Sequence, residues 1–483
     1  MNDQLVILVV VWPLLVGALT ALFPDRPRLL FFWTVGHLLA VNVLGSLLVT
    51  QVLGEGPVSY HLSGWAPPLG IEYRATTLSA LLSWLVSLVA LLGVLVSRST
   101  WEGQIGHRLP HFLSLWFLIV ASYQGICLSN DAFNLYVMLE ISSLATYGLI
   151  AFGGGRAYLA TFHYVILGTI GASLYLLGVG FLYIKTGTLN IGDLQRVVAE
   201  MEFTRSLVIA AAFLIAGVML KMAAFPLHFW LPNAYTYAPA AATVLIAPLS
   251  SKLAVFMLFR IIIDFFGSSL TSLMPAWSVV LPIAASAGIV FGTSLALAQR
   301  DLKRMFACLI VAEAGYMLGG LWLPNVLGTH GALFHLINDA VSTLVLFMVV
   351  IAVTESCGGR TLDHLKGLFT RSPLTGAALV LVGFNLIGVP PTSGFFSKAL
   401  LISGAIEAGH WEFVAALLFA SLGNLALFFR LYENAFFYSS SRSSCPEAKY
   451  AGGVALGIGG LLLGLGLASQ EIVQTFIVPV VGR

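Results

Sequence analysis

Four charged residues lie inside long apolar stretches of this sequence: Glu140, Lys221, Lys252 and Lys398. Each stretch is long enough to cross the hydrocarbon core of a bilayer, where a charged side chain costs at least about 2.5 kcal/mol on the insertion scale. Such residues usually mark the path of an ion or a proton. A carboxylate and an ammonium held away from water can each bind and release a proton. The four residues therefore predict proton transfer through a membrane interior.

Each of these charges also has a structural alternative. Glu140 and Lys221 could form a static ion pair that only fixes one helix against another. Lys252 and Lys398 both follow prolines, so they could instead bind carbonyls that the prolines leave without a partner. One carboxylate and three lysines in separate stretches favour a pathway, because each adds its own insertion cost. We predict that Glu140 and Lys221 meet directly or through one water.

A second group of titratable residues could extend this pathway. His335 and Asp339 are four residues apart, so on a helix they share one face, where an imidazole and a carboxylate can relay a proton. Glu313 lies inside another apolar stretch. His163 and His228 are candidate side entries for protons, and the alternative for each is a packed, locally bonded histidine. No further ligands stand at matching spacing, so no metal site is predicted.

The elements that would carry these residues are membrane helices. The chain has 59% hydrophobic and 9% charged residues over 483 positions, against roughly 25% charged residues in a soluble domain. Apolar runs of about 20 residues with short polar connectors predict an all-α polytopic bundle rather than a barrel. The predicted spans are 4–23, 28–53, 75–97, 110–129, 131–152, 158–184, 206–232, 238–263, 275–298, 303–323, 327–353, 374–404, 411–435 and 450–480.

Two of these spans are predicted to be interrupted. Pro226 follows Lys221 by five residues, and Pro390-Pro391 precedes Lys398. A proline ring removes a backbone donor and clashes with the preceding turn. Paired Gly/Pro-interrupted segments in the two halves of a chain point to a transporter's ion site. We therefore expect a break near each proline, with polar groups or water meeting the freed carbonyls.

The charge distribution along the connectors predicts the orientation of the chain. Counted alternately, the connectors rich in Arg and Lys, such as 300–304, fall on one side, which the positive-inside rule makes cytoplasmic. Both termini are then on the outer side of the cell (inner) membrane. The first run lacks a basic n-region and a cleavage site, so it is predicted to be a helix rather than a signal peptide. Charged residues near span ends are expected to be interfacial anchors: Asp131, Arg260, Asp264, Arg430 and Glu433.

Several classes of function are disfavoured by composition. The formal net charge of +2 and the absence of a basic run argue against a nucleic-acid partner. The four cysteines have no C-x-x-C spacing, so neither an iron–sulfur cluster nor a zinc site is supported. We expect no cofactor and no catalytic residue in this chain.

With these motifs in view, the chain resembles the antiporter-like membrane subunits shared by respiratory complex I, Mrp-type cation/proton antiporters and membrane-bound hydrogenases. The resemblance covers nearly the whole chain and rests on the stretches 131–143, 221–232, 248–252, 301–305, 331–339 and 388–398. The stretch 186–190 with Asp193 is most similar to the Mrp D subunit and its hydrogenase relatives.

The resemblance implies about fourteen helices with two inverted five-helix repeats, each containing a broken helix. Within a single membrane domain of residues 1–483, the repeats would occupy 110–263 and 275–435. It also implies that Glu140 pairs with Lys221 of the first broken helix, that Lys252 is a connecting lysine and that Lys398 belongs to the second broken helix. Many relatives carry a lysine where this chain has Ser342, and some carry histidine where it has Glu313.

The leading hypothesis is a proton-translocating subunit of a multisubunit Mrp-type cation (Na⁺)/H⁺ antiporter. Its partners would be other membrane subunits, protons, sodium as the candidate exchanged cation, and the lipid bilayer. The alternative is a proton-pumping subunit of a complex I-like NADH-quinone oxidoreductase or a membrane-bound hydrogenase, which uses the same residues. A third hypothesis is a scaffold whose path is closed, and Ser342 is its only support. The list of co-purifying subunits would separate these hypotheses.

Overall fold

The computed structural model describes residues 3–201, 204–267, 270, 274–438 and 448–481 of the chain. Nearly all of the described chain is helical, because a backbone in hydrocarbon must satisfy its own hydrogen bonds. In chain order the main helices are α1 (Gln4–Thr20), α2 (Pro27–Glu55), α3 (Thr77–Ser97), α4 (Leu109–Leu128), α5 (Ala132–Ala151), α6 (Arg156–Thr186), α7 (Ile191–Glu200), α8 (Arg205–Lys221), α9 (Trp230–Tyr237), α10 (Ala240–Arg260), α11 (Trp277–Leu297), α12 (Leu302–Trp322), α13 (Val326–Cys357), α14 (Pro373–Ile387), α15 (Ser393–Ala408), α16 (Trp411–Phe436) and α17 (Lys449–Leu467).

Smaller elements connect these helices. One antiparallel hairpin, β1 (Val58–His61) and β2 (Glu72–Ala75), lies between α2 and α3. A π-helix continues α10 over Ile261–Phe266, and another lies at Val473–Ile477. Short helical turns occupy Leu62–Gly64, Arg98–Thr100, Trp101–Gln104, Gly106–Arg108, Leu362–Leu365, Leu368–Arg371, Ser469–Ile472 and Val478–Val481.

The number of membrane crossings agrees with the sequence prediction. Eleven described helices are long and apolar enough to cross a membrane. The shorter α1 and the interrupted pairs α8/α9 and α14/α15 supply three further crossings, which gives fourteen among the described residues. The all-α polytopic fold is therefore confirmed.

Both predicted breaks are present. α8 ends at Lys221 and α9 begins at Trp230, whose indole donates a hydrogen bond of 3.1 Å to the carbonyl of Leu220. α14 ends at Ile387, where Gly388 takes a left-handed conformation (φ 92°) that suits glycine. The chain resumes as α15 at Ser393. Trp230 thus satisfies a carbonyl at the first break, and Lys398 donates to the carbonyl of Leu386 at the second, as predicted.

A local pattern recurs in the two halves of the chain. Asp131 caps the N-terminus of α5 and Asp301 caps that of α12, each accepting from the backbone amide three residues on. Asp131 forms a backbone bridge with Asn190, and Asp301 forms the same bridge with Thr361. The separation is 170 residues from Asp131 to Asp301 and 171 from Asn190 to Thr361. The two capping residues therefore bind corresponding loops, at Asn190 in the first half of the chain and at Thr361 in the second.

Two arginines complete the recurring pattern. The guanidinium of Arg260 donates to the carbonyl of Ser129, two residues before the first cap. The guanidinium of Arg430 donates to the carbonyl of Gln299, two residues before the second cap, at 2.9 Å. Arg260 and Arg430 are again 170 residues apart. This recurrence supports a duplicated unit, and the boundaries 110–263 and 275–435 stay a prediction.

The helices differ in how much protein surrounds them. The central windows of α12 and α13 are entirely buried, and that of α10 is 94% buried. Only 28% of the window of α2 and 39% of that of α6 is buried, so these two helices form part of the outer apolar surface. Lys252, Glu313, His335 and Asp339 therefore lie on the three helices that are most enclosed by protein.

Candidate functional site

Glu140 of α5 and Lys221 of α8 form the first acid–base pair. The Lys221 ammonium lies 3.6 Å from a Glu140 carboxylate oxygen, which is ion-pair range but too long for a hydrogen bond. The same ammonium donates a hydrogen bond of 2.7 Å to the hydroxyl of Ser143, one turn after Glu140. The Lys221 side chain is 4% exposed and that of Glu140 is 26% exposed. The predicted contact is confirmed, and Glu140 is its outer member.

Lys252 of α10 and Asp339 of α13 form the second pair. Their ammonium and carboxylate lie 2.8 Å apart, and both side chains are almost fully buried. Thr343 donates to Asp339 at 3.0 Å and accepts from Lys252 at 3.2 Å, which closes a triangle. Lys252 also donates to the carbonyl of Ala247 at 3.3 Å, next to Pro248. Two buried opposite charges need such close contact to offset their loss of hydration.

Glu313 of α12 and His335 of α13 form the third pair. A Glu313 carboxylate oxygen lies 2.6 Å from Nε2 of His335. The other ring nitrogen, Nδ1, lies 3.0 Å from the hydroxyl of Ser397 on α15. The imidazole therefore connects a carboxylate on one helix with the residue before Lys398 on another.

Lys398 of α15 has a different environment. In the described part of the chain its ammonium donates to the carbonyls of Leu386 and Ile387, at 2.5 and 3.4 Å, and to the hydroxyl of Ser421 at 3.3 Å, and it has no carboxylate at ion-pair distance. It also lies 5.4 Å from the centroid of the Tyr316 ring. The carbonyls at the C-terminal end of α14 carry partial negative charge, which stabilises the ammonium.

These groups form a series at similar depth in their helices. Glu140, Lys252, Glu313 and Asp339 each lie within three residues of the midpoint of α5, α10, α12 and α13, respectively. Ordered by the packing of their helices, the groups are Glu140–Lys221, then Lys252–Asp339, then His335–Glu313, then Lys398. The sequence placed His335 and Asp339 on one helix face without assigning a partner to either, and the structure pairs His335 with Glu313 and Asp339 with Lys252. It also places Glu313 within the series.

A neutral hydrogen-bond network surrounds Ser342 of α13. The Ser342 hydroxyl accepts from the amide of Asn385 at 2.7 Å, and the same amide donates to Asn338 at 2.8 Å. Ser393 donates to Asn338 at 2.6 Å, and the backbone amide of Gly394 donates to Asn385 at 2.8 Å. Asn385 thereby joins α13 to both sides of the second break.

Replacing Asn385 by alanine is expected to destabilise the protein by about 2 kcal/mol, because it leaves several buried polar partners without hydrogen bonds. The measurement is the midpoint of thermal unfolding of the purified complex in detergent. Asn42→Ala is the matched control, since that amide makes one partly buried hydrogen bond, to Ser87 at 3.1 Å. Equal shifts of the unfolding midpoint for the two variants would show that the Asn385 network stabilises the protein no more than a single hydrogen bond does.

The two candidate side entries lie away from this series. His163 is exposed on the outer face of α6. His228 is buried between α8 and α9, stacked on Phe225 and Phe229, and neither ring nitrogen has a hydrogen-bond partner in the described chain. The roles of both histidines stay predictions.

Arg260 corrects one sequence expectation. It was expected to be an interfacial anchor at a span end, but only 7% of it is exposed. Its guanidinium binds the Ser129 carbonyl, the Asn130 side chain and the carboxylate of Asp264. The loop before α5 folds over the end of α10 and buries Arg260. The position of Arg260 at the end of a predicted span does not reveal this contact.

The same loop is held by Glu72 of the hairpin. Its carboxylate accepts from the side chains of Asn130 at 2.8 Å and Asn190 at 2.7 Å. Burial raises the pKa of the Glu72 carboxyl, but hydrogen bonds from these amides and from Ser59, together with the charge of Arg74, bring it below its ordinary value. Glu72 therefore acts as an ionised tether for the loop.

Sequence reasoning also missed the hydroxyl partners of the charged residues. Ser143 and Thr343 stand one turn after Glu140 and Asp339, and this spacing is the signal that would have identified them. Among the described residues, no group of three or more His, Cys, Asp or Glu side chains has a geometry that could hold a metal ion.

Comparison with known proteins identifies the family of this chain. The family model described as "NADH:quinone oxidoreductase/Mrp antiporter, TM" matches residues 129–423, which include all seven titratable residues of the series. The chain is 40% identical over 441 residues to NADH-quinone oxidoreductase subunit N of Desulforudis audaxviator, covering 90% of this chain and 87% of that protein. It is 30% identical over 433 residues to the putative antiporter subunit mnhD2 of Staphylococcus haemolyticus, covering 89% and 85%.

A solved structure shows the same fold. A chain of the membrane-bound sulfane sulfur reductase, an archaeal respiratory membrane complex, superposes with a TM-score of 0.89 at 28% identity, covering 98% of this chain and 96% of that one. The match of the family model to more than half of the sequence, together with the 40% identical relative, shows that this chain belongs to the NADH:quinone oxidoreductase/Mrp antiporter transmembrane family.

Proposed function

We propose that this chain conducts protons within a multisubunit membrane complex. The observation that carries the proposal is the series of three acid–base pairs followed by Lys398, in which the two members of every pair come from different membrane helices. A static scaffold would gain little from so many buried charges, because apolar side chains of similar volume stabilise a buried site at least as well. Proton transfer, in contrast, requires titratable groups within reach of one another.

The pairs suggest how one transfer drives the next. A proton that reaches Glu140 removes the negative charge opposite Lys221, and the Lys221 ammonium then releases its own proton more readily. The second pair responds in the same way, because protonation of Asp339 frees Lys252. His335 can accept a proton at one ring nitrogen and release one at the other, towards Glu313 or Ser397. No covalent intermediate is needed.

Two kinds of complex could use this chain. The similarity to mnhD2 and to the Mrp D subunit motifs supports a cation/proton antiporter, in which sodium would be exchanged for protons. The higher identity to an NADH-quinone oxidoreductase subunit favours a redox-driven complex as the second candidate. The charged series serves both, since only the source of free energy differs.

The experiment is to purify the native complex through a tag on this chain, identify its subunits and reconstitute it in liposomes with a pH-sensitive dye inside. A sodium gradient should drive proton movement if the partners are only small membrane subunits. An electron donor with quinone or protons as acceptor should drive it if the partners carry redox centres. Absence of proton movement under both drives, from a complex with all its subunits, would overturn the proposal.

A further inference from the structure

A large cavity lies apart from the charged series, where four membrane helices begin or end. α2 and α17 begin beside it, and α3 and α13 end beside it. Its volume is ≈ 870 Å³, within the range of about 300–1,000 Å³ that is usual for ligand sites. The four helix ends lie on the side that the connector charges predict to be cytoplasmic. The cavity is therefore placed at the depth of the lipid head groups.

The part of the cavity that lies between the helices is apolar. Its walls include Phe31 of α2, Leu95 and Val96 of α3, and Ala451 of α17. α2 also forms part of the outer apolar surface of the protein, since only 28% of its central window is buried. An acyl chain of the surrounding bilayer can therefore enter this part of the cavity along α2.

Arg98, directly after α3, presents unused hydrogen-bond donors to the cavity. Its guanidinium lies 4.2 Å from the centroid of the Phe31 ring, a cation–π contact that holds the group over the ring. Within the described chain its side chain makes no hydrogen bond and no ion pair. A guanidinium has five N–H donors and binds a phosphate through two parallel hydrogen bonds. Arg98 therefore provides a binding group for one phosphate.

Two carboxylates line the same cavity. The hydroxyl of Ser99 donates to one oxygen of Glu355, near the end of α13, and the other oxygen has no partner in the part of the chain that the structure describes. The carboxylate of Glu102 also has no partner among the described residues. One guanidinium and two carboxylates disfavour a ligand that is only anionic. They suit a ligand that carries an ammonium beside a phosphate.

We propose that this cavity binds a phospholipid whose head group carries a primary ammonium. Arg98 binds the phosphate, Glu102 and Glu355 accept from the ammonium, and an acyl chain lies against the apolar walls. Basic pockets between membrane helices on the cytoplasmic side bind lipid head groups in this way. A primary ammonium has three N–H donors for the carboxylates, whereas the trimethylated ammonium of a choline head group has none. This lipid site does not depend on the proposed function.

The test is photo-cross-linking of the purified native complex in detergent with a phosphatidylethanolamine that carries a diazirine on one acyl chain. Mass spectrometry should find the cross-link on peptides that contain residues 27–36 or 91–102. Unlabelled phosphatidylethanolamine should compete for the site. Phosphatidylglycerol, which lacks the ammonium, and phosphatidylcholine, which lacks its N–H donors, should each compete about tenfold more weakly.

Variants then identify the groups that bind the lipid. Arg98→Gln and Glu355→Gln should each lower the cross-linking yield by about tenfold. Arg108→Gln is the matched control, because the Arg108 guanidinium also lies over an aromatic ring, 4.8 Å from the centroid of Phe152, but does not line the cavity. Its yield should equal that of the wild type. The unfolding temperature of each complex is measured, and Glu102→Gln, at an exposed position, replaces any variant in which that temperature falls.

The other outcomes would overturn the lipid site. A cross-link found on other outer helices but not on these peptides would mean that the cavity binds no lipid, and so would a partner subunit that covers them in the complex. An unchanged yield in both Arg98→Gln and Glu355→Gln would mean that the charged residues do not recognise the head group. Equal competition by phosphatidylglycerol would mean that the ammonium is not recognised.

Discussion

Replacing Lys221 by alanine is expected to lower the proton flux of the reconstituted complex by about 100-fold or more. Lys221 is the group that faces both Glu140 at 3.6 Å and a small cavity beside α10. Its loss interrupts the series at the first transfer. The flux is measured as the initial rate of internal pH change under the drive that works for the wild type.

Lys221→Arg separates conduction from a static ion pair. Arginine keeps the positive charge opposite Glu140 but does not release a proton in proteins. A conducting role predicts that Lys221→Arg loses flux as fully as Lys221→Ala does. Flux that survives in Lys221→Arg would mean that only the ion pair matters. The control is Lys366→Ala, which removes an exposed loop ion pair with Asp363 and should leave the flux unchanged.

The second large effect concerns Lys252 and Asp339. Asp339→Leu leaves the Lys252 ammonium buried without its counterion, which should destabilise the protein by about 3–5 kcal/mol. The double variant Lys252→Met/Asp339→Leu fills the site with apolar side chains of similar volume and should recover most of that stability. Neither variant can carry a proton across α10, so both should lack flux.

Thermal unfolding and proton flux, measured on the same preparations, test this expectation. Recovery of stability without recovery of flux is the expected result for the double variant. A double variant that conducts like the wild type would show that the second pair is structural. Removal of the exposed Lys366–Asp363 pair by the corresponding double substitution should leave both quantities unchanged.

Much of the fold could be predicted because the bilayer constrains it strongly. Apolar runs must become helices, since that outcome does not depend on distant contacts. Proline alone does not decide where a helix breaks: the chain is interrupted near Pro226 and Pro390-Pro391, whereas Pro248 and Pro282 lie inside α10 and α11. The charged residues were equally visible, because a charge in an apolar run is costly wherever it points.

The partners within the site were harder to predict. Helical period shows that His335 and Asp339 share a face of α13, but not that one meets α12 and the other α10. That choice depends on how α13 is rotated between its neighbours. Asn385 was missed for a related reason. Its hydrogen-bond partners, Asn338 and the backbone of Gly394, lie on other helices, and the sequence does not show that these helices meet at Asn385.

The shared depth of the charged groups has an electrical consequence. Glu140, Lys252, Glu313 and Asp339 lie within three residues of their helix midpoints, which is at most about 4.5 Å from each midpoint along the helix axis. Moving a charge across the whole membrane involves about 2.3 kcal/mol per 100 mV, but motion at constant depth involves almost none. In the proposed pathway, membrane voltage would therefore act little on transfers among these four groups and mainly on the steps by which protons enter and leave the series.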